Sequence, residues 1–269
     1  MKKFKKKEEF RLKKILLELT NYRQMIKSMV LSDLRTRYKG SVLGFLWTFL
    51  NPLLMLLVYT IVFSTIMRFD MPNYTIYMFI GLLPWMNFSS SILGSASVII
   101  RNSNLIKKIY FPHEVLPLST VLGGIVNYLF GLIIMVAAIF ISGMSMSVHA
   151  FYFPIILFLQ FLLTYALTLL FSSLNVYFRD LEHILGAIVM AWFYFTPIIY
   201  PATMIPEKYQ FIFNINPMKP IVESLQDIFY YHRSPVFGTL LQSLVYNLVL
   251  LVVSWVIFRK LSRRFAEEV

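Results

Sequence analysis

Six apolar runs of about 17 to 27 residues dominate the chain, and they leave it few ways to fold. A hydrocarbon core about 30 Å thick is crossed by roughly 20 apolar residues in a helix. Water cannot satisfy backbone amides in that core, so each run must close its hydrogen bonds within itself. The runs place spans at about 46–67, 74–100, 116–141, 151–176, 184–200 and 239–258. The expected fold is therefore an all-α membrane protein of six transmembrane helices. Charged residues make up only 14% of the chain, against about 25% in soluble domains. Residues 1–45 read as a basic tail with an amphipathic helix, 46–258 as the transmembrane domain, and 259–269 as a C-terminal tail.

Orientation follows from the basic residues. With the N-terminus inside, 21 of the 25 lysines and arginines fall on the cytoplasmic side, and only Arg68, Lys208, Lys219 and Arg233 fall outside. That bias predicts cytoplasmic N- and C-termini in a multi-pass protein of the bacterial cytoplasmic (inner) membrane. The first residues are rich in lysine, but no apolar core of 7–15 residues follows, so a signal peptide is not expected. Ile15, Leu19, Tyr22, Ile26 and Met29 recur at helical spacing, with Lys13, Lys14, Arg23 and Lys27 opposite. This pattern predicts a helix lying in the membrane surface.

Several chemistries lack their residues. There is no cysteine, the four histidines are far apart in sequence, and no phosphate-binding loop is present. No metal site and no cofactor are expected in this chain. The six runs hold essentially no ionisable residue at mid-membrane, where ion-coupled carriers place one. Energy must then come from elsewhere. The polar residues within the runs are neutral. Gln160, Thr164, Thr168 and Ser172 form one stripe, read either as interhelical hydrogen bonding or as the lining of a conduit. Asn51 and Asn127 add amides. Trp192, Phe193, Tyr194, Phe195 and Tyr200 crowd the outer end of the fifth run. They could be an interfacial belt, or flat faces for a passing sugar chain.

Two connections stand out. Residues 101–114 are short and amphipathic on the cytoplasmic side, with Leu105, Ile106, Ile109 and Tyr110 beside Lys107 and Lys108. Residues 201–235 are mostly apolar yet too charged to span, which fits re-entrant or interfacial helices between spans five and six.

Motifs recur along the chain in a set order: DLRTRYKGSVLGFLWTFLNP over 33–52, GLLPW over 81–85, FPHEVLP over 111–117, YFRD over 177–180, FTPIIY over 195–200 and NP at 216–217. Together they resemble the permease subunit of type-2 ABC exporters, in the polysaccharide group that exports O-antigen and teichoic acid. The resemblance covers nearly the whole chain.

It implies a homodimer docked to two copies of a separate ABC ATPase, which would bind ATP and Mg. The substrate would be an undecaprenyl-linked glycopolymer within membrane lipid, and nucleic acid would play no part. The N-terminal helix would be the interface helix, with Arg35, Arg37, Tyr38 and Trp47 at the interface and the substrate entrance. Residues 102–111 would be the main coupling helix and 178–183 the minor one. The coupling set is Leu105, Lys107, Lys108, Ile109, Tyr110, Glu114, Arg179 and Asp180. The path would run along Asn51, Tyr59, Thr60, Trp192, Tyr194, Phe195 and Tyr200. Asn216, Pro217, Glu223 and Asp227 would form the outer gate. The alternatives are a drug- or lipid-exporting permease of the same superfamily, or a membrane-embedded enzyme acting on lipid-linked sugars. The enzyme's best available set is Glu223, Asp227 and His232.

Overall fold

A computed structural model describes residues 20–37, 40–62 and 71–269. The N-terminal residues Ile15 and Leu19, the interface residue Tyr38, the side chain of Arg37 and the end of the first run lie outside these. The described residues form helices: α1 (Arg23–Arg37), α2 (Trp47–Tyr59), α3 (Tyr74–Ala96), α4 (Val98–Arg101), α5 (Ser103–Lys108), α6 (Val115–Ile141), α7 (Phe153–Tyr177), α8 (Leu181–Tyr194), α9 (Gln210–Ile215), α10 (Lys219–Phe229), α11 (Phe237–Leu261) and α12 (Phe265–Glu268). No strand occurs among them. Five stretches are long and apolar enough to cross a membrane: Gly44–Val62, Tyr74–Ala96, Val115–Ile141, Val148–Tyr177 and Phe237–Glu268. The chain is a multi-pass membrane protein.

The fifth run behaves differently. Its helix α8 has 14 residues, about 21 Å at 1.5 Å per residue, and ends at Tyr194 instead of reaching 200. Pro197 explains the stop, because its ring restricts the residue before it and it has no amide to donate. The second run also breaks early. Ser97 leaves helical geometry at φ −91°, ψ 4°, and the short helices α4 and α5 follow. The Arg101 guanidinium spans that break by donating to the Gly94 carbonyl at 2.6 Å.

α3 and α7 form the centre of the bundle. Every residue of α3 from Tyr74 to Trp85 is buried, as expected of a helix that is apolar on all faces. α7 packs along α11 and also against α3 and α6. All four residues of its polar stripe are buried, but among the described residues only Gln160 bonds across helices, while the Thr168 and Ser172 hydroxyls donate to carbonyls of their own helix. Gln160 Nε2 donates to the Pro84 carbonyl at 2.8 Å, joining α7 to α3. From α11, Asn247 Nδ2 donates to the Leu159 carbonyl at 3.0 Å. Such bonds average about 0.6 kcal/mol in a membrane, enough to orient helices that packing alone holds together.

The two ends of the chain join this bundle. Tyr22, Met25, Ile26 and Met29 pack against an apolar cluster around Ile106, Phe111, Phe258 and Phe265, and α1 runs along α6. Residues 259–269 are not a loose tail. Phe265 is fully buried, its ring 5.5 Å from Phe258 and 5.7 Å from His113. Burying one phenyl ring is worth about 1.5–3 kcal/mol, which holds α12 under the bundle.

Candidate functional site

At the end of the bundle that holds Phe258 and Phe265, α5 is split by burial. Ile106 is buried while Lys107, Lys108, Ile109 and Tyr110 are exposed and Leu105 is half-buried. Tyr110 is 96% exposed. Ile109 is extended at φ −132°, ψ 134°, so the helix ends at Lys108 rather than at 111. Just beyond, the Glu114 carboxylate is buried and accepts from Arg259 Nε at 3.1 Å. Arg259 also lies over the Trp255 ring at 4.8 Å. Burial lowers the pKa of His113, an effect partly opposed by Glu114. This segment is therefore braced from α11. Nearby, Phe178, Arg179 and Asp180 are exposed around an open cavity of about 800 Å³ that also touches Ile184 and Glu268. Glu182 sits in the first turn of α8, where negative charge complements the helix dipole.

At the opposite end, Asn216 holds two stretches of chain together. Its Oδ1 accepts from Trp192 Nε1 at 2.8 Å and from the Met218 amide at 2.9 Å. Its Nδ2 donates to the Phe195 carbonyl at 2.8 Å and to Thr196 Oγ1 at 2.9 Å. The chain that breaks at Pro197 is thus tied back to the turn before α10. The aromatic cluster splits accordingly. Trp192 points inward, edge-on to Phe88 at 5.2 Å, and Phe193 packs on Trp85 at 5.7 Å. Tyr194 and Phe195 face out, 59% and 47% exposed. The Tyr200 hydroxyl donates to the Tyr194 carbonyl, and Phe213 lies against both Phe195 and Tyr200. Tyr59 is half-buried against the Tyr74, Tyr77 and Met78 cluster. Thr60 is exposed, but its hydroxyl donates to the Leu56 carbonyl at 2.7 Å.

α10 lies deep in this end. Ile221, Val222, Leu225, Ile228 and Phe229 are all buried, and the helix packs on α3 and α7. Gly81 permits the approach, since a Cβ there would stand 3.1 Å from Val222 Cγ1 and 3.2 Å from Gln226 Nε2. Glu223 pairs with Lys219 at 3.7 Å and Asp227 with Arg233 at 2.7 Å. Burial raises the pKa of both carboxylates, and the basic partners pull them back. Pro217, Asn214, Glu223, Gln242 and Tyr246 border a cavity of about 430 Å³ between this region and α11.

A third feature lies between α2, α3 and α6. A cavity of about 230 Å³ is lined by Trp47, Thr48 and Asn51, by Asn87 and Ser90, and by Gly124, Asn127 and Tyr128. Trp47 Nε1 donates to Ser41 Oγ at 2.8 Å, which fixes the indole at its edge. Thr48 Oγ1, Asn87 Oδ1, Ser91 Oγ and Asn127 Oδ1 are buried without a hydrogen-bond partner among the described residues. Each such group costs about 1–3 kcal/mol if nothing satisfies it. Asn87 and Ser91 escaped the sequence reading. Their only signal is a lone amide and hydroxyls inside an apolar run.

Among the described residues, no three His, Asp or Glu side chains converge to hold a metal ion. His232 holds its backbone at a positive φ of 54°, and its Nε2 is buried without a hydrogen-bond partner among the described residues. Arg35 is exposed on α1.

Comparison with known proteins gives this arrangement a context. Residues 24–230 match the ABC-2 type transporter family. The chain is 39% identical over 258 residues to an O-antigen export system permease protein of Myxococcus xanthus, covering 95% of this chain and 99% of that protein. A permease of the same description from Klebsiella pneumoniae is 39% identical over 238 residues, 87% of this chain and 91% of that one. A polysialic acid transport protein of Escherichia coli is 28% identical over 208 residues, 74% and 78% of the two chains.

Proposed function

Because the chain belongs to the ABC-2 type transporter family, we propose that it is the permease subunit of an exporter that carries a lipid-linked cell-surface polysaccharide across the bacterial inner membrane. The observation that carries this reading is its similarity, at nearly full length, to a permease of O-antigen export. The chemistry agrees. A hydroxyl-rich polymer needs neutral hydrogen-bonding groups and flat apolar faces, because fixed charges would bind it too tightly to release it. The exposed outer rings Tyr194 and Phe195 and the neutral amides of α2 and α3 supply such groups.

The permease works as a homodimer, with both termini in the cytoplasm. The Gly44–Val62 stretch is only 11% buried, and Ile184, Ile188 and Tyr194 leave one side of α8 bare. These faces meet a second copy and the polymer path between the copies. α8 supplies the sixth crossing, made short by the outer segment, and α9 and α10 re-enter the membrane from outside. The chain provides no ATP site. Two copies of an ABC ATPase dock against Lys107, Lys108, Ile109 and Tyr110, with Phe178, Arg179 and Asp180 as a second contact. The polymer is O-antigen, teichoic acid or a similar undecaprenyl-linked chain.

Reconstitution with the ATPase tests both halves of this reading. Wild-type complexes in proteoliposomes should move the polysaccharide in an ATP-dependent way. Lys107→Glu with Lys108→Glu should abolish that export or lower the yield of complex. Export and yield both unchanged would overturn the docking assignment. Export of a drug-like or simple lipid substrate, with the polysaccharide refused, would overturn the substrate.

A further inference from the structure

We infer that the cavity between α2, α3 and α6 is a binding subsite for one uncharged sugar ring of the transported chain, an assignment that rests on the exporter reading and places a contact within a single protomer. The lining selects its ligand by exclusion. It contains no Asp, Glu, Lys, Arg or His, so a phosphate or carboxylate would lose its hydration without compensation. An acyl chain would leave the lining oxygens Thr48 Oγ1, Asn87 Oδ1 and Asn127 Oδ1 unsatisfied. Two of these three are amide oxygens, which only accept. The occupant must therefore donate hydrogen bonds, as sugar hydroxyls do and as ester or phosphodiester oxygens do not.

The site is built rather than incidental. Asn87 is 6% exposed and Ser91 1% exposed, so their oxygens are aimed into protein, not lipid. Gly124 leaves the space they occupy. A Cβ there would stand 2.5 Å from Ser91 Oγ and 2.7 Å from Asn87 Oδ1. The half-buried indole of Trp47 forms one wall, and an aromatic face is the usual platform for the C–H side of a pyranose. The mouth opens between Asn51 and Ser90, both exposed. α2, whose remaining surface faces the proposed path, can thus pass a sugar unit to this pocket.

The test uses the permease–ATPase complex in nanodiscs and two photoactivatable lipids with identical acyl chains. One carries a single glucose and the other is phosphatidylglycerol. Wild-type complex should be labelled by the glucolipid within 47–51 and near Asn127, and by phosphatidylglycerol at least tenfold less at these positions. Asn87→Leu with Asn127→Leu should weaken glucolipid labelling about tenfold, the loss set by two net hydrogen bonds. Asn127→Leu alone, on a half-buried position, decides the matter if the double variant fails to assemble. Equal labelling of wild type and variant, or equal labelling by the two lipids, overturns the subsite. Polysaccharide export by the same wild-type complex is measured in parallel. Its absence counts against the exporter reading, whereas export with no specific labelling counts against the subsite alone.

Discussion

The first two apolar stretches have similar lengths and opposite fates. In Tyr74–Ala96, 78% of the most apolar window is buried, and in Gly44–Val62 only 11% is. The buried one is also the more polar, with Asn87, Ser91 and Ser95 among its buried residues. In a soluble protein that order would be reversed. In a membrane, lipid is as apolar as leucine, so hydropathy reports contact with lipid and not membership of the core. Helices that meet other helices can keep amides and hydroxyls, because there those groups are turned away from lipid. The contrast also separates residues that hold the protomer together from residues left free to meet a partner or a substrate.

Matched glycines test that separation with the largest effect. A Cβ on Gly81 of α3 would crowd Val222 at 3.1 Å and Gln226 at 3.2 Å, closer than ordinary van der Waals contact, while Gly186 of α8 has nothing within 4 Å. Gly81→Leu should lower protomer stability by about 3 kcal/mol through overpacking. Gly186→Leu should leave it unchanged or raise it by up to about 1 kcal/mol, since leucine is the better helix former. Unfolding in micelles reads both. If α8 faces a second copy, Gly186→Leu should instead lower the dimer fraction in cross-linking. Equal destabilisation by the two changes would break the contrast.

The Glu114–Arg259 brace should come next. Arg259→Ala strands the buried Glu114 carboxylate and should cost about 2 kcal/mol, a figure reduced because Arg259 is partly exposed. Glu114→Gln, which keeps an acceptor, should cost less than half of that. Chemical unfolding followed by Trp255 fluorescence would show the difference. Similar losses in the two variants would mean that the ion pair is not what fixes this end.

How much of this was legible beforehand depends on the kind of signal. Long apolar runs and the crowding of lysine and arginine are repeated many times over, so the all-helical membrane fold was plain from the chain. The stop at Tyr194 was not. It depends on Pro197 acting together with the tie between Asn216, Phe195 and Thr196, which joins positions 21 and 20 residues apart. The aromatic cluster was visible as a cluster, but composition carries no direction. Trp192 and Tyr194 are two residues apart, about 200° around a helix, and only the fold shows which faces the bundle. Asn216 was singled out, yet its role as a pin needs four partners that periodicity cannot place. The amide cavity was least legible, since Asn51, Asn87 and Asn127 come from three helices.

That directional split gives the third effect. Trp192→Phe removes the donor to Asn216 while keeping a ring against Phe88, and should cost about 1 kcal/mol. Tyr194→Phe should cost nothing measurable in stability. Tyr194→Ala should slow export without lowering complex yield, and Tyr194→Phe should restore most of the rate if the ring face is the contact. Normal export by Tyr194→Ala would mean that the outward ring belongs to an interfacial belt.

The smallest effect concerns the outer segment and has a defined pH dependence. Burial is the main cause that raises the Glu223 pKa above its ordinary 4.5, and Lys219 opposes it. A carboxyl held above its unfolded value binds its proton more tightly in the folded state. Its contribution is therefore fully present below the ordinary carboxylate range and is lost as pH rises through the raised value. Glutamine keeps the shape and cannot ionise. Glu223→Gln should thus match wild type near pH 4 and become more stable by a few tenths of a kcal/mol near neutrality, where the exchanged ion pair with Lys219 is itself worth little. Asp227→Asn should change in the same sense, since burial also raises the Asp227 pKa above its ordinary value, but by less, because the change weakens a contact of 2.7 Å with Arg233. Thermal unfolding of both variants from pH 4 to pH 8 reads the signs. A Glu223→Gln variant that loses stability as pH rises would show that its pairing with Lys219 outweighs its burial, and that α10 is held by charge rather than by its apolar face.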